Sequence, residues 1–123
     1  MNLNAQTDAQ PVKWSFSIEE VEDEYILTAN ADIKDGWAIY SQHTGEGGPI
    51  PTRFEIEDIE VTFEEESKAI TQFSSLFEVE VKKFKNEAGF TFLLNKNSVE
   101  GNVTFMACNE NQCLPPKTIG FDL

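Results

Sequence analysis

Hydrophobic and polar residues alternate with a period of two along most of this chain. In residues 12–18 the even positions are apolar and the odd ones polar, and residues 77–82 alternate just as regularly. Successive side chains of a strand point to opposite faces, so this pattern is typical of strands with one buried face. No segment has a helical period, and residues 64–75 are the only stretch where a helical turn would fit. The pattern therefore predicts an all-β protein.

Turn-forming residues separate the candidate strands. Glycine, proline and asparagine cluster at five points, which are residues 35–36, 45–51, 86–89, 95–98 and 115–116. About nine short strands at this spacing predict a β-sandwich. The candidate strands are residues 12–18, 25–31, 37–40, 52–56, 60–63, 77–82, 89–94, 99–107 and 117–123.

Length and composition indicate one folded domain. The chain has 123 residues, of which 40% are hydrophobic, and this is enough to build a packed core. No internal repeat or linker divides it. Residues 1–11 are polar, so we expect a flexible N-terminal segment there and a single domain over residues 12–123.

The charge balance excludes several classes of partner. A net charge of −13 opposes binding to nucleic acid, which needs Lys and Arg to neutralise phosphates, and to anionic membrane surfaces. No apolar run approaches the length of a membrane span. The first seven residues have neither a basic nor an apolar signal region, so we expect that an export signal has been removed.

The two cysteines, Cys108 and Cys113, are the most chemically informative feature of the sequence. If they pair, they close a loop so short that it would stabilise the fold by only about 2 kcal/mol. A chain of this length can bury a core without such help. This favours a redox couple, although a small structural disulfide or two unrelated thiols also fit the spacing.

The surroundings of the cysteines predict a β-hairpin. Residues 99–107 would form the first strand, residues 109–112 the turn, and residues 117–123 the second strand. Pro115 and Pro116 lack backbone donors and should interrupt the ladder, leaving Cys113 near an edge. Glu110 lies in the loop and Lys117 is the nearest basic residue in sequence, so no local charge is expected to lower a thiol pKa.

No other cluster of residues indicates a reaction. His43 is the single histidine, and with both cysteines it would supply only three ligands where structural zinc takes four. The acidic run at residues 64–66 lacks the pattern of a calcium loop. Nucleophile-elbow, phosphate-loop and metalloprotease motifs do not occur. We therefore expect neither a metal nor a cofactor.

Two segments together resemble a known family. Residues 35–40 (DGWAIY) and residues 108–118 (CNENQCLPPKT) are similar to the N-terminal periplasmic domain of the thiol:disulfide interchange protein DsbD. The likeness runs from about residue 12 to residue 123. The loop at residues 40–51 looks like the version found in Bacteroidetes-type sequences.

The resemblance implies an immunoglobulin-like sandwich with one redox disulfide. Such domains accept electrons from a thioredoxin-like domain and pass them to periplasmic oxidoreductases. By the family pattern, Cys113 forms the mixed disulfide with partners and Cys108 resolves it. The resemblance also implies a periplasmic monomer, either part of a larger membrane protein or a stand-alone relative.

The family pattern also suggests residues around the disulfide. Trp37 and Tyr40 would line the site, and a cap within residues 70–77 would shield it, with Ile70 or Phe73 as the shielding residue and Phe73 preferred. This chain has four residues between its cysteines where other members can have five. The competing hypothesis is a non-catalytic immunoglobulin-like binding or adhesion module with a structural hairpin disulfide.

Overall fold

The computed structural model describes residues 10–57 and 61–123, and the regular elements in this part of the chain are strands. The strands are β1 (Val12–Val21), β2 (Glu24–Ile33), β3 (Ile39–Tyr40), β4 (Arg53–Ile56), β5 (Val61–Glu66), β6 (Ile70–Ser74), β7 (Val79–Phe84), β8 (Glu87–Leu94), β9 (Glu100–Phe105) and β10 (Lys117–Asp122). The all-β immunoglobulin-like sandwich is thus confirmed, with one strand more than the nine predicted.

Three antiparallel sheets build the sandwich. One has four strands in the order β1-β2-β8-β5, and the other two have the orders β10-β9-β4 and β3-β7-β6. The two three-stranded sheets are joined by an isolated antiparallel bridge between Ala38 and Cys108. The cysteine hairpin therefore lies where these two sheets meet.

The core forms between the four-stranded sheet and the other two. In β8 every second residue is buried, and β2 alternates in the same way over its second half, as the sequence pattern requires. Aromatic rings bridge the layers, with centroids 4.6 Å apart for Phe16 and Phe121 and 4.8 Å apart for Phe54 and Phe92. Ring pairs at these separations add to the stabilisation from burial alone.

The structure corrects one expectation about local structure. Residues 64–75, where a helical turn would fit, instead hold the end of β5 and the whole of β6. β6 escaped prediction because four of its five residues are exposed, so it has no buried face and no alternation. The predicted strand at residues 60–63 overlaps β5, and residue 60 lies outside the described residues.

The prolines interrupt the ladder after the cysteines as expected. Leu114 donates to the carbonyl of Ala107, whereas Lys117 pairs with Phe105, so one extra residue lies on the strand that contains the prolines. Such an insertion is a bulge, and proline is tolerated there because no ladder donor is needed.

The N-terminal end of the described chain is tied to the sandwich. Pro11 is buried, and its carbonyl accepts a hydrogen bond of 2.7 Å from Lys34 N. Most of the segment expected to be flexible, residues 1–9, lies outside the described residues. Within residues 10–57 and 61–123, no helix has the length and apolar character needed to cross a membrane.

Candidate active site

Cys108 and Cys113 are joined by a disulfide at the end of a tight hairpin. Their Cα atoms are 4.0 Å apart, and the backbone hydrogen bonds lie on either side of the pair, from Asn109 N to Gln112 O and from Leu114 N to Ala107 O. This is the non-hydrogen-bonded type of antiparallel pair, in which side chains approach most closely. The turn is closed further by Asn109 Oδ1, which accepts from the backbone N–H groups of residues 111 and 112.

The two cysteines differ in how firmly they are held. Ala38 and Cys108 exchange two backbone hydrogen bonds, of 2.9 and 3.0 Å, so both the N–H and the C=O group of Cys108 have a backbone partner. In the described part of the chain, the Cys113 N–H and C=O have no backbone partner. Cys108 is only 3% exposed, whereas Cys113 is partly exposed. Cys113 is therefore the more accessible of the two cysteines.

A small apolar cluster, separate from the main core, surrounds the disulfide. Tyr40 and Val81 are buried together with Cys108, and Phe77, Val79, Met106 and Cys113 pack against them. We call this set the disulfide cluster. Phe77 lies in the turn between β6 and β7, so this hairpin tip packs against the cluster that contains the cysteines.

Of the residues that the family pattern suggested, one lies in the disulfide cluster. Tyr40 is a member, while Trp37 packs against the main core. Phe73 is 64% exposed and pairs with Glu80, which places it on the opposite face of its sheet from Val81. Ile70 is 47% exposed and pairs with Lys83 on the cluster side of the sheet. Neither Ile70 nor Phe73 belongs to the cluster.

The loop after Tyr40 is anchored beside the disulfide cluster. The buried Ser41 hydroxyl donates a hydrogen bond to Glu66, and the same carboxylate accepts from Gln42 N at 3.1 Å. Further along, Thr44 Oγ1 accepts from Lys82 N at 3.0 Å, which ties the loop to β7. These charge-assisted and backbone contacts hold the loop against the hairpin that carries Phe77.

Gly48, in the same loop, packs against β7 beside the disulfide cluster. A Cβ atom there would lie 3.0 Å from Val79 Cγ2, so the absence of a side chain allows the loop to press against β7. A surface cleft is lined by Leu114, Pro115 and Pro116, the residues that follow Cys113, together with Gln10.

A lysine distant in sequence interacts electrostatically with the cysteine loop. Lys83 is partly buried, and its pKa is lowered, first by burial and then by Lys85, while Glu110 in the cysteine loop opposes this shift. Burial raises the pKa of the Tyr40 phenol. The nearest basic residue in sequence, Lys117, instead donates to Gln10 Oε1 at 2.8 Å.

Several contributors to the site have only a partial signal in the sequence. The alternation at residues 77–82 places Phe77, Val79 and Val81 on one face, and Lys83 continues it in phase. The pattern does not show which residues lie beside that face. They are determined by the pairing of β3 with β7, which places Tyr40 opposite Lys83. Among the described residues, no three His, Cys, Asp or Glu side chains come together as a metal site.

The fold and the site define an immunoglobulin-like thiol–disulfide exchange domain: a sandwich with one disulfide in a hairpin, whose second cysteine is partly exposed. Comparison with known families agrees, because the model for the N-terminal domain of the thiol:disulfide interchange protein DsbD matches residues 6–123. The chain belongs to this family. Comparison with curated proteins finds no match.

Two solved structures have the same fold. The N-terminal periplasmic domain of ScsB from Proteus mirabilis superposes with a TM-score of 0.72 at 13% identity, covering 94% of this chain and 47% of that one. The N-terminal domain of DsbD from Neisseria meningitidis, in the reduced form, superposes with a TM-score of 0.65 at 19% identity, covering 98% and 92%. This chain therefore spans about half the length of the ScsB domain.

Proposed function

We propose that this domain works in the periplasm as an electron relay, taking electrons from a thioredoxin-like donor and passing them to envelope oxidoreductases through Cys108 and Cys113. We further propose that it does so as one part of a larger membrane protein. Membership of the DsbD family supports both statements. The observation that carries the proposal is the unequal burial of the two sulfurs.

The chemistry begins at the exposed sulfur. A thiolate of the reduced donor attacks Cys113 Sγ, the bond between the two cysteines breaks, and Cys108 leaves as a thiolate. The donor's second thiol then attacks its own sulfur in the mixed disulfide and releases Cys113. The donor is oxidised to a disulfide and this domain gains two electrons, with protons taken from solvent. Passing the electrons on reverses the roles, with Cys113 attacking the acceptor.

The residues around Cys113 suggest a direction of approach. The Phe77 ring packs in the disulfide cluster, whereas Leu114 and Pro115, which follow Cys113, line a surface cleft. We therefore propose that partners approach over the prolines and that Phe77 is the shielding residue. This replaces Phe73 and Ile70, which the family pattern suggested, because both side chains are exposed outside the cluster. Trp37 packs against the main core, and we propose that it helps to hold β3, the strand that ends at Tyr40.

Single-cysteine variants test the order of attack. Cys108→Ala leaves the Cys113 thiol free to attack a thioredoxin-like protein that lacks its own resolving cysteine and whose remaining cysteine has been activated as a mixed disulfide with thionitrobenzoate, so that thionitrobenzoate leaves and the protein–protein mixed disulfide is trapped. Cys113→Ala leaves only the buried Cys108, and we expect far less trapping on a non-reducing gel. Alanine is preferable to serine here, because a hydroxyl buried at position 108 would add a desolvation cost. Equal trapping by both variants would contradict the assignment of Cys113.

The reduction potential separates this function from a structural disulfide. A relay needs a potential close to those of its partners, whereas structural disulfides typically lie below about −300 mV. Equilibration of the wild-type domain in glutathione or dithiothreitol buffers gives this value directly. A potential in the structural range, together with no trapping by Cys108→Ala, would favour the binding-module hypothesis instead.

A further inference from the structure

We propose that Lys83 is a positioning residue for this exchange, because its ammonium group stabilises the thiolate of Cys108 when the disulfide opens. The inference rests on the proposed function, since it assumes that Cys113 is attacked and Cys108 leaves. It assigns a role to a side chain that the sequence does not connect with the cysteines, which are more than twenty residues away.

Strand pairing places Lys83 on the face of the disulfide. Lys83 is the partner of Tyr40 across β3 and β7, and paired residues share one face of a sheet. Val81, two residues earlier on the same strand, is on that face too. Tyr40 and Val81 are the two buried side chains that form the disulfide cluster with Cys108. Lys83 therefore continues this face beyond the apolar part of the cluster.

The charges around Lys83 connect it to the cysteine loop. Glu110, two residues after Cys108, interacts electrostatically with its ammonium group, and Lys85 interacts with it from the same chain segment. The cross-strand partners of Lys83 are Tyr40 on β3, whose phenol pKa is raised by burial, and the uncharged Ile70 on β6. Among the charges that shift the Lys83 pKa, the one carboxylate is that of Glu110 in the cysteine loop.

A buried leaving thiolate needs this charge. Cys108 is 3% exposed, and burial disfavours a thiolate because water cannot solvate it. A leaving thiol with a lower pKa departs faster in disulfide exchange. When the bond opens, the negative charge appears on Cys108 Sγ, and an ammonium group on the same face of the sheet would offset part of the lost solvation. Cys113 is more exposed, so water can solvate a thiolate there.

Lys83→Met tests the role, with Lys83→Arg as the conservative variant. Lys82→Met is the matched control, because it removes the same charge from the neighbouring residue of the same strand, whose side chain is exposed on the other face. Each change is made in the full chain with Cys113→Ala, so that Cys108 is the sole thiol. Its pKa is followed by the ultraviolet absorbance of the thiolate, and melting curves check that each variant is folded.

We expect Lys83→Met to raise the Cys108 pKa by about one unit, the size of shift a nearby opposite charge produces. In the chain with both cysteines, the same change should slow opening by a small thiolate about threefold. Lys83→Arg should restore both values, Lys82→Met should change neither, and high salt should reduce the effect of Lys83→Met.

No shift with Lys83→Met, or the same shift with Lys82→Met, would overturn the inference. That outcome is distinguishable from failure of the relay itself, because trapping by Cys108→Ala measures formation of a mixed disulfide at Cys113 in a chain that has no Cys108. Normal trapping with an unchanged Cys108 pKa would reject Lys83 alone. A loss of trapping would reject the proposed function.

Discussion

Ala38 and Cys108 form a hydrogen-bonded pair through both of their backbone groups, and this pair joins two sheets of the sandwich. Cys108 therefore stays in place whether or not its sulfur is bonded to Cys113. The hairpin turn and the prolines beyond it carry Cys113 on a separate segment. Opening the disulfide should leave one sulfur fixed and the other free to adjust to a partner.

The fold should survive loss of the disulfide. Cys108→Ala/Cys113→Ala removes a cross-link over a very short loop, so we expect the free energy of unfolding to fall by about 2 kcal/mol. The main core does not include either sulfur, which is why the loss should be no greater. Urea unfolding of the variant and of the oxidised and reduced wild type measures this. A double variant that is unfolded at room temperature would show that the disulfide is structural.

Phe77 and Phe73 should respond differently to truncation. Phe77→Ala removes the proposed shielding ring from the disulfide cluster, so a small dithiol should reduce the disulfide faster. The free energy of unfolding should fall by less than the ~3–5 kcal/mol typical of a buried phenylalanine. Phe73→Ala is the control, since its ring is 64% exposed and should change stability by no more than about 0.5 kcal/mol. If Phe73→Ala accelerates reduction and Phe77→Ala does not, Phe73 is the cap.

Tyr40 should make the domain sensitive to alkaline pH. Burial raises the phenol pKa above its ordinary value of 10.0 in the folded protein, so the unfolded chain loses this proton first as the pH rises. The associated stability is complete below pH 10.0 and is lost above it. Tyr40→Phe lacks this proton, so its stability relative to wild type should improve between about pH 8 and about pH 11. Urea unfolding at both values checks the sign, and a constant difference would contradict it.

Gly101 should not tolerate a side chain. A Cβ atom at this position would lie on the Glu55 carbonyl oxygen and 3.0 Å from the Phe121 ring, so Gly101→Ala must push β4 away from β9. We expect a loss of at least about 2 kcal/mol in unfolding free energy. Gly120→Ala on the neighbouring strand is the matched control, because its nearest atom would be 3.9 Å away. Equal stability of the two variants would show that β4 can move without cost.

The sequence was sufficient to predict the strands that have one buried and one solvent-exposed face. Alternation located β1 and β7 because burial on one side imposes a period of two. It missed β6, which is exposed on both faces and therefore carries no period. The hairpin of Cys108 and Cys113 was predictable because it depends on turn length and on prolines, both local features.

The surroundings of the disulfide were much less predictable. Tyr40 could be proposed only from the family resemblance, and the choice of Phe73 as a cap was based on ring size alone. The register between β6 and β7 decides which residue faces the cysteines, and it depends on pairing across a turn where Glu78 has a left-handed backbone with φ of 59°. Lys83 was missed because proximity in sequence pointed to Lys117.

The hairpin that carries both sulfurs is only six residues long, yet its neighbours come from strands encoded far upstream. Grafting this hexapeptide onto another protein would transfer the bond without the anchoring by Ala38 or the charge of Lys83. Conversely, the role proposed for Lys83 predicts that substitutions at those upstream positions change the reduction potential of the couple while the cysteine loop itself is unchanged. Relatives with identical cysteine loops should then differ in reduction potential.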